Sequence, residues 1–313
     1  MAALASRLNF GEEDSGALSI IVTEAASNIV KHGGGGDLIV TNASRGHDRA
    51  VRILALDRGP GMANVAKSFE DGYSTASSPG TGLGAIRRIA THCDVYSAPE
   101  KGTVLMALVR PAHSRVKEPV EIGAVNIPYP GEEVCGDAWS FTETPRRTRF
   151  TVVDGLGHGV FAADASREAL RTEDARHQTP AESIQHAHSA LQSTRGAAMS
   201  IIDLEFEAGR ATFAGAGNVA GSILAGGIRR QMVTINGTLG HQMGTVRQYD
   251  YPFPAGSVLI LHSDGISANW TLDKYPGLLR KHASVIAAVL FRDFRRTRDD
   301  ATVVVARQTG SKV

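Results

Sequence analysis

The chain has 313 residues, 42% of them hydrophobic and 21% charged, with a formal net charge of +1. That is the balance of a soluble globular protein long enough for two ordinary domains. So small a net charge gives no overall field toward nucleic acid or a membrane surface, and no apolar run approaches the ~18 residues of a membrane span. The opening "MAALASRLNF" lacks the basic-then-apolar order of a signal peptide. Cys93 and Cys135 have no metal-ligand spacing and read as reduced thiols. A cytoplasmic protein with neither nucleic acid nor membrane as partner is expected.

Leu18, Ile21, Val22, Ala25 and Ile29 recur at helical spacing and predict a first helix over roughly Glu12 to Lys31. "DLIVTNAS" and "AVRILALD" follow as strands, "GAIRRIATHC" as a helix, and "DVYSAPEKGTVLMALV" as two strands joined by a turn at Lys101-Gly102. The polar "RPAHSRVKEP", with two prolines, separates two apolar-patterned regions. It divides the chain into a domain over 1–110, a linker over 111–119 and a domain over 120–313. Downstream, "VEIGAVNI", "DAWSFTET" and "RTRFTVVD" read as strands, then Val160 to Thr172 and Pro180 to Arg195 as helices. Strands dominate after that: "AAMSIIDLEFE", "GRATFAGAG", "GSILAGG" and "SVLILHSD". A helix "SVIAAVLFRDFRR" precedes a last strand "ATVVVARQ". Strands at both ends with paired helices between them predict an α+β architecture of sheets covered by helices.

Three upstream motifs carry chemistry. Glu24 and Asn28 are four apart and share a helix face beside the apolar stripe. In "DRGPG", Asp57 ends an apolar strand with Gly59 and Gly61 behind it. In "GTGLG", Gly80 to Gly84 leads into a helix whose exposed N–H groups could cradle phosphate. Each motif alone is common in turns and on surfaces. In this order they resemble the GHKL ATPase superfamily, and "NIVKHGGGG" with "DGYSTASSPGTGLGAIRRI" is similar to the RsbT-type switch kinases of bacterial partner-switching pathways. The resemblance covers roughly Gly11 to Arg110 and implies a Bergerat-type α/β sandwich binding ATP and Mg²⁺. It implies Glu24 as the catalytic acid, Asn28 as the Mg²⁺ holder and Asp57 as acceptor of the adenine amino group. Gly59 and Gly61 would make room for the base, and Thr81, Gly82 and Gly84 would contact phosphate. Such kinases begin with a strand and a longer first helix, whereas this chain starts close to that helix. An edge strand is therefore expected to be missing, with a smaller core.

Downstream, "VVDGLGHGVFAADAS" sets Asp154 at the tip of an apolar strand and clears its surroundings with three glycines. "CGDAWSF" places Asp137 at a strand start, "LILHSDG" places Asp264 at a strand end, and "RDDATVVVA" places Asp299 and Asp300 before the last strand. Oxygen ligands without a His or Cys cluster suit Mg²⁺ or Mn²⁺ rather than Zn²⁺. The set resembles the metal-dependent PPM-type serine/threonine phosphatases in their SpoIIE-like branch, with "VVDGLGHGVFAADAS" and "FAGAGN" closest to the RsbX type. The match covers roughly Val120 to Arg307 and implies a β-sandwich flanked by helices that holds two Mn²⁺ or Mg²⁺. By that resemblance Asp154 bridges both ions as the catalytic centre and Gly155 adds a carbonyl. Asp264 and Asp299, preferred over Asp300, complete one site, and Asp137 holds a metal-bound water. In some of these phosphatases a histidine directly after Asp-Gly is a general acid; here two residues intervene, so His158 reads as a turn residue or a hydrogen-bonding neighbour of the site. Asn218 reads as the cap of a turn rather than a residue facing the site.

Together the two resemblances imply a kinase–phosphatase fusion that reversibly phosphorylates serine on a STAS-type anti-sigma antagonist or stressosome protein, with a sigma factor or other regulator as a further partner. A second reading makes the upstream domain a nucleotide-dependent binding module without transfer. Glu24 favours the kinase, since a binder has no need of that acid, while the short N-terminus favours the binder. A DNA-acting GHKL ATPase is disfavoured by the lack of accessory domains and of a basic surface.

Overall fold

The computed structural model describes residues 2–46, 48–69, 82–111 and 120–309. Thr81 and most of the expected linker lie outside the described residues. The chain forms two compact units, Met1–Glu118 with Leu272–Arg292, and Pro119–Thr271 with Asp293–Val313.

The first unit begins with a short helix α1 (Ala2–Arg7) and a long helix α2 (Glu12–Gly33). Three acids, Glu12, Glu13 and Asp14, occupy the first turn of α2, and Lys31 and His32 the last, each sign where the helix dipole favours it. Gly34 stops the helix by turning left-handed at φ 67° and donating its N–H to Ile29 O. Four strands follow, with a helix among them: β1 (Gly36–Asn42), β2 (Val51–Asp57), α3 (Gly82–Ile89), β3 (His92–Ser97) and β4 (Thr103–Val109). They make one antiparallel sheet in the order β1-β2-β4-β3. Leu18, Ile21, Ala25 and Ile29 of α2 pack on Val51, Ile53 and Ala55 of β2 and on Leu105, Ala107 and Val109 of β4. A fully buried side chain of this size contributes about 1.5–3 kcal/mol. Helix α1, unforeseen in the sequence, adds Ala5 to this core.

The second unit opens with β5 (Val120–Ile127), β6 (Asp137–Glu143) and β7 (Thr148–Gly155), then helices α4 (Val160–Arg171) and α5 (Pro180–Ala190). Helix α5 starts with a capping box between Thr179 and Glu182. Then come β8 (Ala197–Glu205), β9 (Arg210–Ala216), β10 (Ala220–Ala225), β11 (Ile228–Gln231), β12 (Gln248–Pro252), β13 (Val258–His262), helix α6 (Ala283–Phe294) and β14 (Ala301–Gln308). Two antiparallel five-stranded sheets result, β11-β10-β13-β14-β5 and β12-β9-β8-β7-β6. Val120, Ile122, Leu259, Leu261 and Val304 of the first interleave with Phe150, Val152, Ile202, Leu204 and Phe213 of the second. A second cluster joins Ala165, Ala169, Ile184 and Ala187 of α4 and α5 to Val153, Met199, Ile201 and Ala214. One sheet therefore has an apolar layer on each face. That is the α+β arrangement of sheets and helices the patterning implied. Strands β11 and β12, which no run of apolar residues announced, lie at the sheet edges and are largely exposed.

Helix α6 follows the phosphatase-like strands in sequence, yet ten of its residues cluster with the first unit. There Asp94 accepts from Lys281 Nζ at 3.1 Å and from the His282 N–H at 2.7 Å, and Arg292 Nη1 donates to Asp57 O at 2.9 Å. Among the described residues no helix is long and apolar enough to cross a membrane.

Candidate functional site

The acids of the second unit meet because of strand register. Asp137 opens β6 directly opposite Asp154, near the end of β7. A like-charged pair facing across two strands is destabilising, so the fold gains nothing from it. In the other sheet, β13 pairs with β14 through His262 and Val303, so Asp264 just past β13 and Asp299-Asp300 just before β14 share one end. β14 pairs with β5 through Ala301 and Ile127, which brings in the turn carrying Tyr129.

Asp137 is 4% and Asp300 2% exposed, and Oδ2 of Asp137, Asp154 and Asp300 are buried with no hydrogen-bond partner. Buried carboxylate oxygens left without partners cost several kcal/mol each, a penalty that function must offset. Burial pushes Asp154 up to about 9, reinforced by Asp137, Asp264 and Asp299. Burial likewise raises Asp137 to about 7, opposed by the hydroxyls of Ser263 and Thr302, and raises Asp299 to about 6, reinforced by Asp264. These are acids that repel one another. Burial also raises the Cys135 thiol, with Asp137 and Asp300 adding to the effect.

Glycines hold the backbones close. A Cβ on Gly155 would lie 2.1 Å from Ala162 O, and one on Gly265 1.8 Å from Asp300 O. The side chains around the acids are fixed from outside. Asn218 Nδ2 donates to Asp264 Oδ2 at 2.6 Å, so Asn218 serves an acid of the site and not merely a turn as expected. Asn126 Nδ2 donates to Asp137 O and to Thr302 Oγ1, and the Tyr129 N–H donates to Asp300 Oδ1 at 2.8 Å. His158 Nδ1 pairs with Glu132 Oε1 at 2.7 Å, its ring stacked on Tyr129 at 4.2 Å. The sequence pointed to neither Tyr129, Glu132 nor Asn126. Among the described residues no three His, Cys, Asp or Glu side chains are already gathered into a coordination shell. What the fold provides is convergent carboxylates with unused oxygens, a donor set suited to hard divalent cations.

In the first unit, Glu24 and Asn28 sit half-buried on α2, and Gly82 at the start of α3 meets both. A Cβ there would lie 2.7 Å from Glu24 Oε2 and 3.4 Å from Asn28 Oδ1. Asn28 Nδ2 is buried and has no hydrogen-bond partner among the described residues. Gly84 is buried in the first turn of α3. Asp57 ends β2, and its Oδ1 accepts from the N–H groups of Gly59 at 2.8 Å and Thr103 at 3.1 Å, which orients the carboxylate. Close packing demands glycine around it. A Cβ on Gly33 would fall 2.4 Å from Asp57 Cβ, one on Gly59 2.6 Å from His32 O, and one on Gly61 2.0 Å from Ala98 O.

Residues 144–309 match the family described as stage II sporulation protein E (SpoIIE), and residues 1–108 match the histidine kinase-like ATPase domain. Serine/threonine-protein kinase RsbT of Bacillus subtilis (strain 168) is 30% identical over 105 residues, 34% of this chain and 79% of the relative. Phosphoserine phosphatase RsbX of the same organism is 27% identical over 139 residues, 44% of this chain and 70% of the relative. The crystal structure of RsbX in complex with magnesium superposes with a TM-score of 0.54 at 22% identity, covering 62% of this chain and 98% of that one. The chain thus belongs to the SpoIIE family of PP2C-type phosphatases and joins that phosphatase region to an RsbT-like kinase domain, the composition of a partner-switching regulator.

Proposed function

We propose that the second unit removes phosphate from a phosphoserine and that the first binds ATP with Mg²⁺ and phosphorylates the same serine, on a STAS-type regulatory protein. The observation that carries this reading is the approach of Asp137, Asp154, Asp264 and Asp299 at one end of two sheets, with Oδ2 of Asp137 and of Asp154 buried and without a partner among the described residues. Those four carboxylates and the Gly155 carbonyl would hold two Mn²⁺ or Mg²⁺ ions. Bound there, such ions would supply Lewis-acid activation of water and of the phosphoryl group. The protein's own groups do the positioning. Asn218 turns the Asp264 carboxylate, Asn126 anchors the strand end that carries Asp137, and the Tyr129 N–H occupies one oxygen of Asp300. Glu132 fixes the ring of His158.

In the first unit, Asp57 would take the adenine amino group on the carboxylate oxygen that the Gly59 and Thr103 N–H groups leave open. Asn28 would hold Mg²⁺ against the phosphates, with Gly82, Gly84 and Thr81 along them. Glu24, pressed against Gly82, would accept the proton of the attacking serine hydroxyl. A second reading, a nucleotide-dependent binding module without transfer, rests on the small sheet, in which only four strands are described. The domain division at 111–119 belongs to the same proposal.

Two measurements on the full chain test it. Hydrolysis of p-nitrophenyl phosphate should require Mn²⁺ and stop with a chelator. Calorimetry at millimolar Mg²⁺ should show ATP binding, and its absence would overturn the nucleotide reading.

A further inference from the structure

Directly after Asp154-Gly155 the chain exposes three large apolar side chains within six residues: Leu156 at 54%, Val160 at 59% and Phe161 at 65%. Single exposed hydrophobics are ordinary, but three within six residues, directly after a proposed metal ligand, suit a binding surface. The segment is held in place. The Leu156 N–H donates to Gly196 O at 3.0 Å, and the Ala163 N–H donates to Gly159 O as α4 begins. Arg195, next to Gly196, lays its guanidinium 5.0 Å from the centre of the Phe161 ring, and a Cβ on Gly157 would lie 3.2 Å from its Nη1.

Arg195 differs from its basic neighbours. Arg167 pairs with Asp164 at 3.0 Å and Arg171 with Glu168 at 3.2 Å, whereas no carboxylate pairs with Arg195 among the described residues. A guanidinium stacked on an aromatic face keeps its edge donors free, and those donors match phosphate. Asp164, three residues beyond Phe161 on α4, lines a groove of about 300 Å³ shared with Ser193 and Thr194, the residues leading to Arg195. Chain continuity with the metal-ligand loop and the unpaired cation together identify what fits: a protein segment whose phosphoserine is bordered by apolar side chains.

We propose that Leu156, Val160, Phe161 and Arg195 form the docking surface for the phosphoprotein substrate, with the apolar side chains seating residues beside the phosphoserine and Arg195 meeting its negative charge. This rests on the phosphatase reading above. It makes substrate choice a property of the loop that also carries the metal ligands, so that a bare phosphate ester is a poor substrate compared with a docked one.

The test measures kcat/KM of the full chain in Mn²⁺ for p-nitrophenyl phosphate and for two short synthetic phosphoserine peptides, one with leucine flanks and one with serine flanks. Wild type should favour the leucine-flanked peptide about tenfold or more, the effect of burying one such side chain. The double variant Leu156→Ser/Phe161→Ala should lose that preference, and Phe161→Leu should keep most of it. Arg195→Ala should lower both peptide rates together. Hydrolysis of the aryl phosphate with no flank preference in wild type, or an equal preference in the double variant, overturns the docking surface alone. A double variant that turns a dimer into a monomer with the preference intact also overturns it, by making the patch a contact between copies. A wild-type chain that hydrolyses no aryl phosphate fails the phosphatase reading, and the docking surface falls with it.

Discussion

The two units solve opposite problems in placing charge. In the second, four acids are brought to one end of the strands by ladder register, and among the described residues Oδ2 of Asp137 and of Asp154 stays buried without a partner. In the first, the acids are fewer and one is already occupied: Asp57 accepts two backbone N–H groups, while Glu24 and Asn28 face a glycine. A sheet end can hold repelling carboxylates because the ladder on either side resists their separation. A helix face cannot gather so many, and in the first unit glycines keep the backbone close instead. The proposed metal site is therefore built by long-range pairing, and the proposed nucleotide site by local motifs.

That contrast predicts unequal sensitivity. The largest effect is expected for Asp154→Ala, which should abolish measurable Mn²⁺-dependent hydrolysis of p-nitrophenyl phosphate while ATP affinity by calorimetry stays near wild type. Simultaneous loss of ATP binding would show that the two sites are not separately built. Next, Glu24→Ala should lower phosphoryl transfer to serine by about 10²–10⁴, the usual contribution of a positioned acid or base, with ATP binding largely intact. Asp57→Asn should weaken ATP and ADP alike.

Asn218→Ala removes the amide that donates to Asp264 Oδ2. Loss of such a supporting hydrogen bond lowers metal affinity about 10–100-fold. Titration of Mn²⁺ against activity should show that shift with kcat at saturating metal much less affected. An unchanged metal affinity would return Asn218 to the role of a turn cap.

The smallest effect concerns pH. Asp299, Asp137 and Asp154 lie at about 6, 7 and 9, above the ordinary carboxylate value of 3.8. An acid raised in the folded state holds its proton there after the unfolded chain has released it, so each lowers stability as pH climbs from about 3.8 toward its folded value. Chelator-treated protein should therefore melt at progressively lower temperature between pH 6 and pH 9. Saturating Mn²⁺ should flatten that slope, because an ion replaces the proton as partner. A slope that is the same with and without the ion would mean that these acids do not share it.

Much of this was legible in the sequence, for identifiable reasons. β7 and β13 are apolar runs followed by Asp and Gly, and β5 and β14 are apolar runs in their own right, so these strands and the positions of Asp154 and Asp264 could be read from local pattern. The spacing of Leu18, Ile21, Ala25 and Ile29 gave α2. Strands β11 and β12 were illegible because "IRRQ" and "QYDYP" bury almost nothing, and edge strands are specified by their neighbours rather than by their own residues. The orientation of Asn218 depends on β10 starting opposite the end of β13, where Ala220 pairs with His262, a relation no local motif encodes. The same holds for Arg292, 3% exposed and bonded to Asp57 O, whose helix reads from sequence as part of the phosphatase region. Glu132 and Tyr129 carried no motif, and only register brings their turn to Asp300.

The proposed function requires one chain both to add and to remove phosphate at one serine of one STAS-type protein. The most direct measurement is the phosphoserine content of candidate STAS-type proteins, by mass spectrometry, after incubation with ATP, Mg²⁺ and Mn²⁺. Wild type should give a low steady level with continuous partner-dependent ATP consumption. Glu24→Ala should give none, and Asp154→Ala should let phosphoserine accumulate at the same residue while ATP consumption stops once that site is filled. Phosphoserine accumulating at a residue that the wild-type chain does not dephosphorylate, or no phosphoserine with any partner, would contradict the claim.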